Sequence, residues 1–336
     1  MEITNFVLSK TNMSTLEVIQ QEIAPELKRL NQLISDQLSS SNELMNQVIA
    51  NYLQSKGKLI RPIIVMLSAK LFGPVSDTVL SAAAAVELLH NASLIHDDVV
   101  DEAKTRRNRP TINSVWDNHI AVLVGDFFVS SAMQQAIATK DIRIIDSLCH
   151  LGKLLSLGEI DQIFNARYHT LTEEAYFQII NYKTASLFVA CARMGCYASG
   201  VDGERLERLS RFTELLGLCF QMRDDIFDYY DSALVGKPTG NDLREGKITL
   251  PLLSVLLRPD APDHDAMVAL SRKEQLDEHE IETLMRYARD NGGIDYCYEQ
   301  MHRLRDEAMI LLDTFADCRA RQLLGDLFDF IITRKY

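Results

Sequence analysis

The sequence predicts an all-α protein, and three observations support this fold class. Its 336 residues include only 15 glycines and 8 prolines, so long stretches pass without a helix breaker. Residues 76–103 contain neither glycine nor proline and repeat apolar residues at helical spacing. Strict alternation of polar and apolar residues, which is typical of half-buried strands, is rare. We therefore expect helices along the whole chain.

Glycine and proline divide the chain into its predicted helices. They occur at Gly57 and Pro62, Gly73 and Pro74, Pro110, Gly200 and Gly203, Gly236 to Gly240, and Pro251. Residues 82–96 and 120–138 are apolar on all sides, which predicts central helices buried on most sides. Residues 258–280 are polar and contain proline, which indicates an exposed excursion. One large bundle, with a single domain over residues 1–336, fits these long helices better than two small domains.

The composition excludes several classes of protein. The chain has 47 acidic and 35 basic residues and a net charge of -12, which argues against a nucleic-acid surface. The six cysteines form no CxxC pair, so they indicate neither a zinc site nor a disulfide framework. We expect reduced thiols in a cytoplasmic protein.

No membrane segment is expected. The start, MEITNFVLSK, lacks the apolar core of a signal peptide. The most apolar stretch, IAVLVGDFFVSSAM, contains Asp126 and is too short to span a bilayer.

Two acid motifs of the form DDxxD are the main functional signal. The sequence has Asp97, Asp98 and Asp101 in DDVVD, and Asp224, Asp225 and Asp228 in DDIFD. In a helix the first and last acid of each motif lie on one face and repel each other, and a hard cation such as Mg²⁺ removes this repulsion. A lone DDxxD is commonly a solvated helix end, but both motifs follow apolar segments, ASLIH and LLGLCFQM, where charges need partners. The pattern therefore favours metal binding.

Cationic side chains near these motifs indicate phosphate binding. They are Arg106 and Arg107 after the first motif, Lys58 and Arg61 in GKLIRP, Lys183 in KTASLF, and Lys237 and Lys247 in the loop 236–251. Arginine offers a planar fork for phosphate oxygens. The spacing places Lys58 and Arg61 on one helical face, with Pro62 near a helix start. The loop lacks the spacing of an ATP-binding P-loop. Taken singly, GKLIRP also fits a capped surface turn, and Lys183 also fits a surface lysine.

These segments, in this order, resemble those of the trans-isoprenyl diphosphate synthases, also called polyprenyl synthetases. The resemblance covers most of the chain, from GKLIRP at 57 to GKITLP at 251, and includes GEIDQ at 158–162 and FQMRDDIFD. It implies a single helical bundle of the isoprenoid synthase type around a central cavity, with the two acid motifs facing each other at its mouth. It also implies a homodimeric prenyltransferase that joins isopentenyl diphosphate to an allylic diphosphate and releases pyrophosphate.

The resemblance assigns a role to each candidate residue. Asp97, Asp101 and Asp224 would be the main ligands of about three Mg²⁺ ions, with Asp98, Asp225 and Asp228 supporting them. The allylic diphosphate would be held by Arg106, Lys183, Gln221, Lys237 and Lys247. Isopentenyl diphosphate would be held by Lys58, Arg61, His90 and Arg107.

The same resemblance implies a carbocation mechanism without a protein nucleophile. The carbonyl of Lys183, the hydroxyl of Thr184 and the amide of Gln221 would direct negative dipole ends at the cation. The departing pyrophosphate would take up the proton. The chain departs from the family at Asn108, where glycine is usual. Its last residues include Arg334 and Lys335, a possible basic lid, but we favour an ordinary surface tail.

The residues below the first acid motif predict a long product. Ser93 and Ala92 lie four and five positions before Asp97, roughly 6 to 8 Å deeper along the helix. Short-chain members of the family tend to carry bulky aromatic residues there, whereas both residues here are small. We therefore expect about six to ten isoprene units, as in a quinone side chain. Candidates for a deeper floor are Phe127, Phe128 and Met133.

Three other functions remain open from the sequence. A shorter-chain synthase, making farnesyl or geranylgeranyl diphosphate, would share the motifs. A class I terpene cyclase also ionises prenyl diphosphates, but would not need the second diphosphate site. A non-catalytic partner subunit would be expected to lack acids from a motif, and all six are present.

Overall fold

The computed structural model describes residues 13–54, 57–106, 109–168, 172–230 and 239–334. Within these residues the chain is mainly helical, as predicted, with one short antiparallel ladder that the sequence did not indicate. Its strands are β1, Thr105–Arg106, and β2, Arg109–Pro110, with Arg106 opposite Arg109. The chain divides into two compact units. The first comprises Met1–Gly152, Ala190–Leu209 and Ala316–Leu327, and the second comprises Lys153–Val189, Ser210–Phe315 and Phe328–Tyr336.

Seven helices precede residue 140 in the described part of the chain. They are α1 Thr15–Glu22, α2 Ala24–Leu38, α3 Glu43–Leu53, α4 Ile60–Lys70, α5 Asp77–Val100, α6 Ile112–Val115 and α7 Asn118–Ala138. Helix α5 is the centre of the first unit and packs against α7, α4 and α2.

The limits of α5 agree with the stretch 76–103 that the sequence predicts. Ser76 caps its start by accepting a hydrogen bond from the Val79 N–H, and Asp101 follows its last turn. Residues 82–90 are buried throughout. Gly125 on α7 allows close packing, because a Cβ there would collide with the ring of His96 on α5.

Helix α7 differs from the expectation of a helix buried on most sides. Val124 and Phe128 are buried, but Leu123, Met133 and Ile137 are exposed. The apolar stretch IAVLVGDFFVSSAM, which the sequence analysis judged too short to span a bilayer, is part of this 21-residue helix. Helices α5 and α7 both meet the length and composition of a membrane span, with 72% and 44% of their apolar windows buried in the protein. This is weak evidence for a span, because core helices pass the same test.

The later helices build most of the second unit. They are α8 Ile142–Tyr168, α9 Glu173–Ile180, α10 Ser186–Ala198, α11 Gly203–Phe227, α12 Asn241–Arg244, α13 Leu250–Leu256, α14 His264–Ser271, α15 Glu278–Asp290, α16 Gly293–Leu312 and α17 Arg319–Thr333. A π-helical segment, Asn181–Ala185, joins α9 to α10. Helix α13 packs against α16, α15 and α9. Residues 258–280 are largely exposed, as expected, but include α14.

Candidate active site

The first acid motif lies at the carboxyl end of α5. Asp97 and Asp98 are in its last turn and Asp101 is its C-cap, and this turn has no basic residue. The carboxyl end of a helix carries partial negative charge, so acids there are destabilising unless a cation is close. Asp98 is buried and accepts a hydrogen bond of 2.8 Å from Nε of Arg106. Burial raises the pKa of Asp98, and Arg106 opposes that shift.

The second acid motif lies at the carboxyl end of α11. Asp224 and Asp225 are in its last turn, and Asp228 follows it. Asp225 is buried, and its Oδ2 and Oδ1 accept hydrogen bonds from the Tyr176 hydroxyl at 2.6 Å and from Nε2 of Gln221 at 2.7 Å. Burial raises the pKa of Asp225 to about 7, although these two hydrogen bonds lower it. Asp228 accepts from the N–H of Asp242 at 2.9 Å.

The two motifs share one arrangement, each within its own unit. The middle acid, Asp98 or Asp225, is buried and fixed by neighbours, whereas the first and last acids are partly or fully exposed. Among the described residues, no group of three or more His, Cys, Asp or Glu side chains is arranged to hold a metal ion. The accessible carboxylate oxygens nevertheless fit a hard cation such as Mg²⁺, which keeps several water or phosphate ligands. The first and last acid of each motif are therefore accessible to a cation, whereas the middle acid is buried.

Lys183 lies in the π-helical segment and is half-buried. Its Nζ contacts Oε2 of Glu159 at 2.5 Å and donates to Oε1 of Gln162 at 2.9 Å. Gly158 makes this approach possible, because a Cβ there would lie 2.7 Å from Cγ of Lys183. The segment GEIDQ thus holds the lysine that the sequence singled out.

Thr184 and Gln221 are linked beside this lysine. The Thr184 hydroxyl donates to Oε1 of Gln221 at 2.7 Å, and Gln221 donates in turn to Asp225. These bonds fix the orientation of the Gln221 amide. The Thr184 oxygen keeps lone pairs that can face a positive charge.

One cavity of about 250 Å³ brings these side chains together in the second unit. Five of the predicted site residues line it: Lys183, Thr184, Gln221, Asp225 and Lys247. Its wall also includes Ile179, Ile180 and Leu253. Lys247 forms an ion pair with Glu245. The cavity therefore combines cationic and hydrogen-bonding groups with an apolar surface.

The predicted isopentenyl diphosphate residues are only partly arranged as expected. Pro62 is near a helix start, as predicted, but Lys58 precedes that helix. Leu59 has a left-handed backbone, φ 53°, so Lys58 and Arg61 do not share a helical face. Lys58 is exposed, Arg61 is half-buried and His90 is buried. Arg107, Asn108, Lys237 and Lys335 lie outside the described residues.

The residues predicted to control product chain length differ in how deeply they are buried. Ala92 is 0% exposed, whereas Ser93 is partly exposed and donates to the carbonyl of His90 at 2.9 Å. Phe127 is half-buried, and Phe128 is fully buried against the ring of Tyr52. Met133 is 47% exposed on the outer side of α7, so its prediction as a buried floor residue is wrong.

The sequence analysis did not predict several residues that lie at the site. Tyr176, Glu159 and Gln162 hold predicted residues, and Asp242 lines the cavity. Arg334 was expected in a surface tail, and that expectation is wrong. It is 8% exposed, and its Nη2 contacts Oδ1 of Asp224 at 2.6 Å. Only GEIDQ carried a motif signal for these residues.

Known proteins resemble this chain over nearly its whole length. Residues 42–288 match the sequence profile of the polyprenyl synthetase family. The chain is 32% identical to octaprenyl diphosphate synthase of Escherichia coli over 320 residues, 95% of this chain and 99% of the relative.

Two crystal structures are also similar. A decaprenyl diphosphate synthase from Rhodobacter capsulatus has a TM-score of 0.87 and 32% identity, with coverage of 94% of this chain and 98% of that one. A polyprenyl synthase from Caulobacter crescentus, complexed with calcium and isoprenyl diphosphate, has a TM-score of 0.88 and 30% identity, with coverage of 96% and 98%. With this extent of sequence and structural similarity, the chain belongs to the polyprenyl synthetase family.

Proposed function

We propose that this protein is a long-chain all-trans polyprenyl diphosphate synthase, a prenyltransferase that joins isopentenyl diphosphate to an allylic diphosphate and releases pyrophosphate. The observation that carries this proposal is the cavity in which Lys183, Thr184, Gln221, Asp225 and Lys247 converge. The names of the similar octaprenyl and decaprenyl diphosphate synthases support the substrate class. In this proposal residues 1–336 act as a single domain.

The outer acids would hold divalent cations, in our proposal about three Mg²⁺ ions. These are Asp97, Asp101, Asp224 and Asp228. The similar polyprenyl synthase complexed with calcium and isoprenyl diphosphate supports a divalent-cation site. When bound, the cations would supply positive charge that stabilises the leaving diphosphate. Asp98 and Asp225 would act as supports, because both carboxyls are buried and hydrogen-bonded to neighbouring side chains.

Cationic side chains would bind the diphosphates directly. We assign Arg106, Lys183, Lys237 and Lys247 to the allylic diphosphate, and Lys58, Arg61, His90 and Arg107 to isopentenyl diphosphate. Lys183 is held at the cavity by Glu159 and Gln162, so its ammonium group is positioned before a ligand arrives.

The reaction begins with cleavage of the allylic C–O bond, which leaves a carbocation and pyrophosphate. The Thr184 hydroxyl oxygen and the Gln221 carbonyl oxygen would face the cation with negative dipole ends, and the Lys183 carbonyl would do the same. The apolar wall of the cavity would exclude water. The double bond of isopentenyl diphosphate then attacks the cation, and the departing pyrophosphate accepts the released proton. No Ser–His or Cys–His nucleophile is required.

The product is proposed to have about six to ten isoprene units, because Ser93 and Ala92, about one helical turn before the first acid motif, are small. Of these two residues, Ser93 is the better candidate for lining the space in which the product chain grows. It lies on the same side of α5 as Asp97 and is partly exposed, whereas Ala92 faces other protein atoms.

We also propose a homodimer in the cytoplasm. The outer side of α7 exposes Val122, Leu123, Met133 and Ile137, an apolar surface suited to the same helix of a second copy. All six cysteines are free thiols, which suits a reducing compartment. Light scattering of the purified chain tests the dimer, and Leu123→Asp should weaken it.

One incubation tests the reaction class. The purified chain is mixed with Mg²⁺, farnesyl diphosphate and isopentenyl diphosphate, and the dephosphorylated products are separated against chain-length standards. Products of about six to ten units support the proposal, and shorter products indicate a shorter-chain synthase. Pyrophosphate release without isopentenyl diphosphate indicates a cyclase. No reaction favours a partner subunit.

A further inference from the structure

Arg334 buries its side chain at the second acid motif. Its Nη2 contacts Oδ1 of Asp224 at 2.6 Å and donates to the carbonyl of Phe220 at 3.3 Å. The guanidinium also lies over the rings of Phe220 and Phe227, with centroids 4.3 and 5.5 Å away. This cation is therefore desolvated and directed at one carboxylate.

Arg223, the residue before Asp224, holds the chain end in return. Its Nε and Nη2 donate to the carbonyl of Arg334 at 3.2 and 2.6 Å. Arg223 is buried and stacks on Phe227, with its guanidinium carbon 4.6 Å from the ring centroid. Two neighbouring residues of α11 thus bind the backbone and the side chain of Arg334, so its charge has a defined position.

The position of this charge affects any cation that binds Asp224. Asp224 lies in the last turn of α11, near Asp225 and Asp228, and Arg334 supplies positive charge there in the metal-free protein. A divalent cation on Asp224 would meet this fixed charge and be repelled. A bound diphosphate would contribute negative charge and reduce the repulsion.

We propose that Arg334 is a positioning residue that serves as the counter-charge of Asp224 and keeps divalent-cation binding weak until a diphosphate is present. This inference rests on the proposed function, because it assumes that Asp224 is a metal ligand. It adds to that function an ordering of ligands: the metal at Asp224 binds together with the diphosphate.

The test measures Mn²⁺ binding by the paramagnetic resonance signal of the free ion, with and without inorganic pyrophosphate. Without pyrophosphate, Arg334→Met should bind Mn²⁺ about tenfold more tightly than the wild type. With pyrophosphate the difference should shrink. Arg334→Lys keeps the charge and should stay close to the wild type. Arg305→Met is the matched control, because Arg305 forms a more exposed ion pair with Asp329 on α17, and it should change nothing.

A gain of affinity cannot arise from unfolding, and circular dichroism confirms that each variant is folded. A second variant, Arg334→Gln, removes the same charge and carries the same expectation. The double variant Asp224→Asn with Arg334→Met should lose the gain. Equal or weaker Mn²⁺ binding by the folded charge-free variants overturns the inference. Failure of the proposed function is distinguishable, because the wild type would then not elongate farnesyl diphosphate.

Discussion

The Tyr176 hydroxyl donates a hydrogen bond of 2.6 Å to Oδ2 of Asp225. Both groups are buried, and burial is the main reason that the pKa of Asp225 is raised to about 7. A carboxyl whose pKa is raised on folding adds stability below its unfolded pKa and loses that contribution as the pH rises through the folded pKa. In metal-free protein, Asp225 should therefore cost stability at neutral and alkaline pH.

Asp225→Asn should raise the free energy of unfolding of the metal-free protein by roughly 1 to 3 kcal/mol at pH 8, because the amide carries no charge to bury. The gain should shrink as the pH falls toward 4, where Asp225 is protonated. Urea denaturation at several pH values measures it. Glu299→Gln, an acid-to-amide change on the exposed side of α16, is the control. A gain that does not depend on pH would contradict this explanation.

Gly158→Ala should disturb the site through packing alone. The new Cβ would lie within 3.0 Å of Tyr182 and Lys183 atoms, so α8 and the π-helical segment must separate. We expect a loss of about 1 to 3 kcal/mol in unfolding free energy and a clear loss of turnover. Gly152→Ala on the same helix is a matched control, since nothing lies within 4 Å of its Cβ. It should stabilise by about 0.5 to 1 kcal/mol. Equal behaviour of the two variants would count against the close approach.

Lys183→Met should lower kcat/KM for the allylic substrate by about 10²- to 10³-fold, because a positioned cation at the leaving diphosphate is lost. Its thermal stability should change little, since the same substitution also removes the need to bury the ammonium group. Steady-state kinetics with farnesyl diphosphate measures the effect. Lys153→Met, at an exposed position of α8, should behave as the wild type. A small effect of Lys183→Met would remove this lysine from the mechanism.

Ser93→Phe should shorten the product, because the ring would enter the space one helical turn below Asp97. Ala92→Phe should instead destabilise the protein by about 1 to 3 kcal/mol, since Ala92 is fully buried. Chromatography of dephosphorylated products reports chain length, and Met133→Ala on the exposed side of α7 should leave it unchanged. Full-length products from Ser93→Phe would show that the growing chain takes another route.

The sequence predicted features that depend on local pattern. The limits of α5 follow from a stretch without breakers and from a capping serine, and both are readable along the chain. The outer side of α7 was not predictable, because a helix that is apolar on all sides carries no mark of which side faces outward. Leu59 adopts a left-handed backbone conformation, which could not be predicted because the residue is not a glycine. This conformation places Lys58 outside the helix that contains Arg61.

The sequence analysis also did not predict contacts between residues that are far apart in the chain. Asp224 and Arg334 are 110 positions apart, and Asp225 and Tyr176 are 49 apart. Motif spacing identified the acids, but it contains no information on the side chains that hold them. The segment GEIDQ was noticed only through family resemblance, and its role in holding Lys183 became clear from the contact geometry.

The most direct test of the proposed chemistry is isopentenyl diphosphate incorporation by the double variant Asp97→Asn with Asp101→Asn, compared with Asp146→Asn at an exposed position of α8. If the outer acids hold the cations that ionise the allylic substrate, the double variant should remain folded and lose about 10³-fold or more in kcat, while the control stays active. Near-wild-type incorporation by the double variant would contradict a metal-dependent role for the first acid motif.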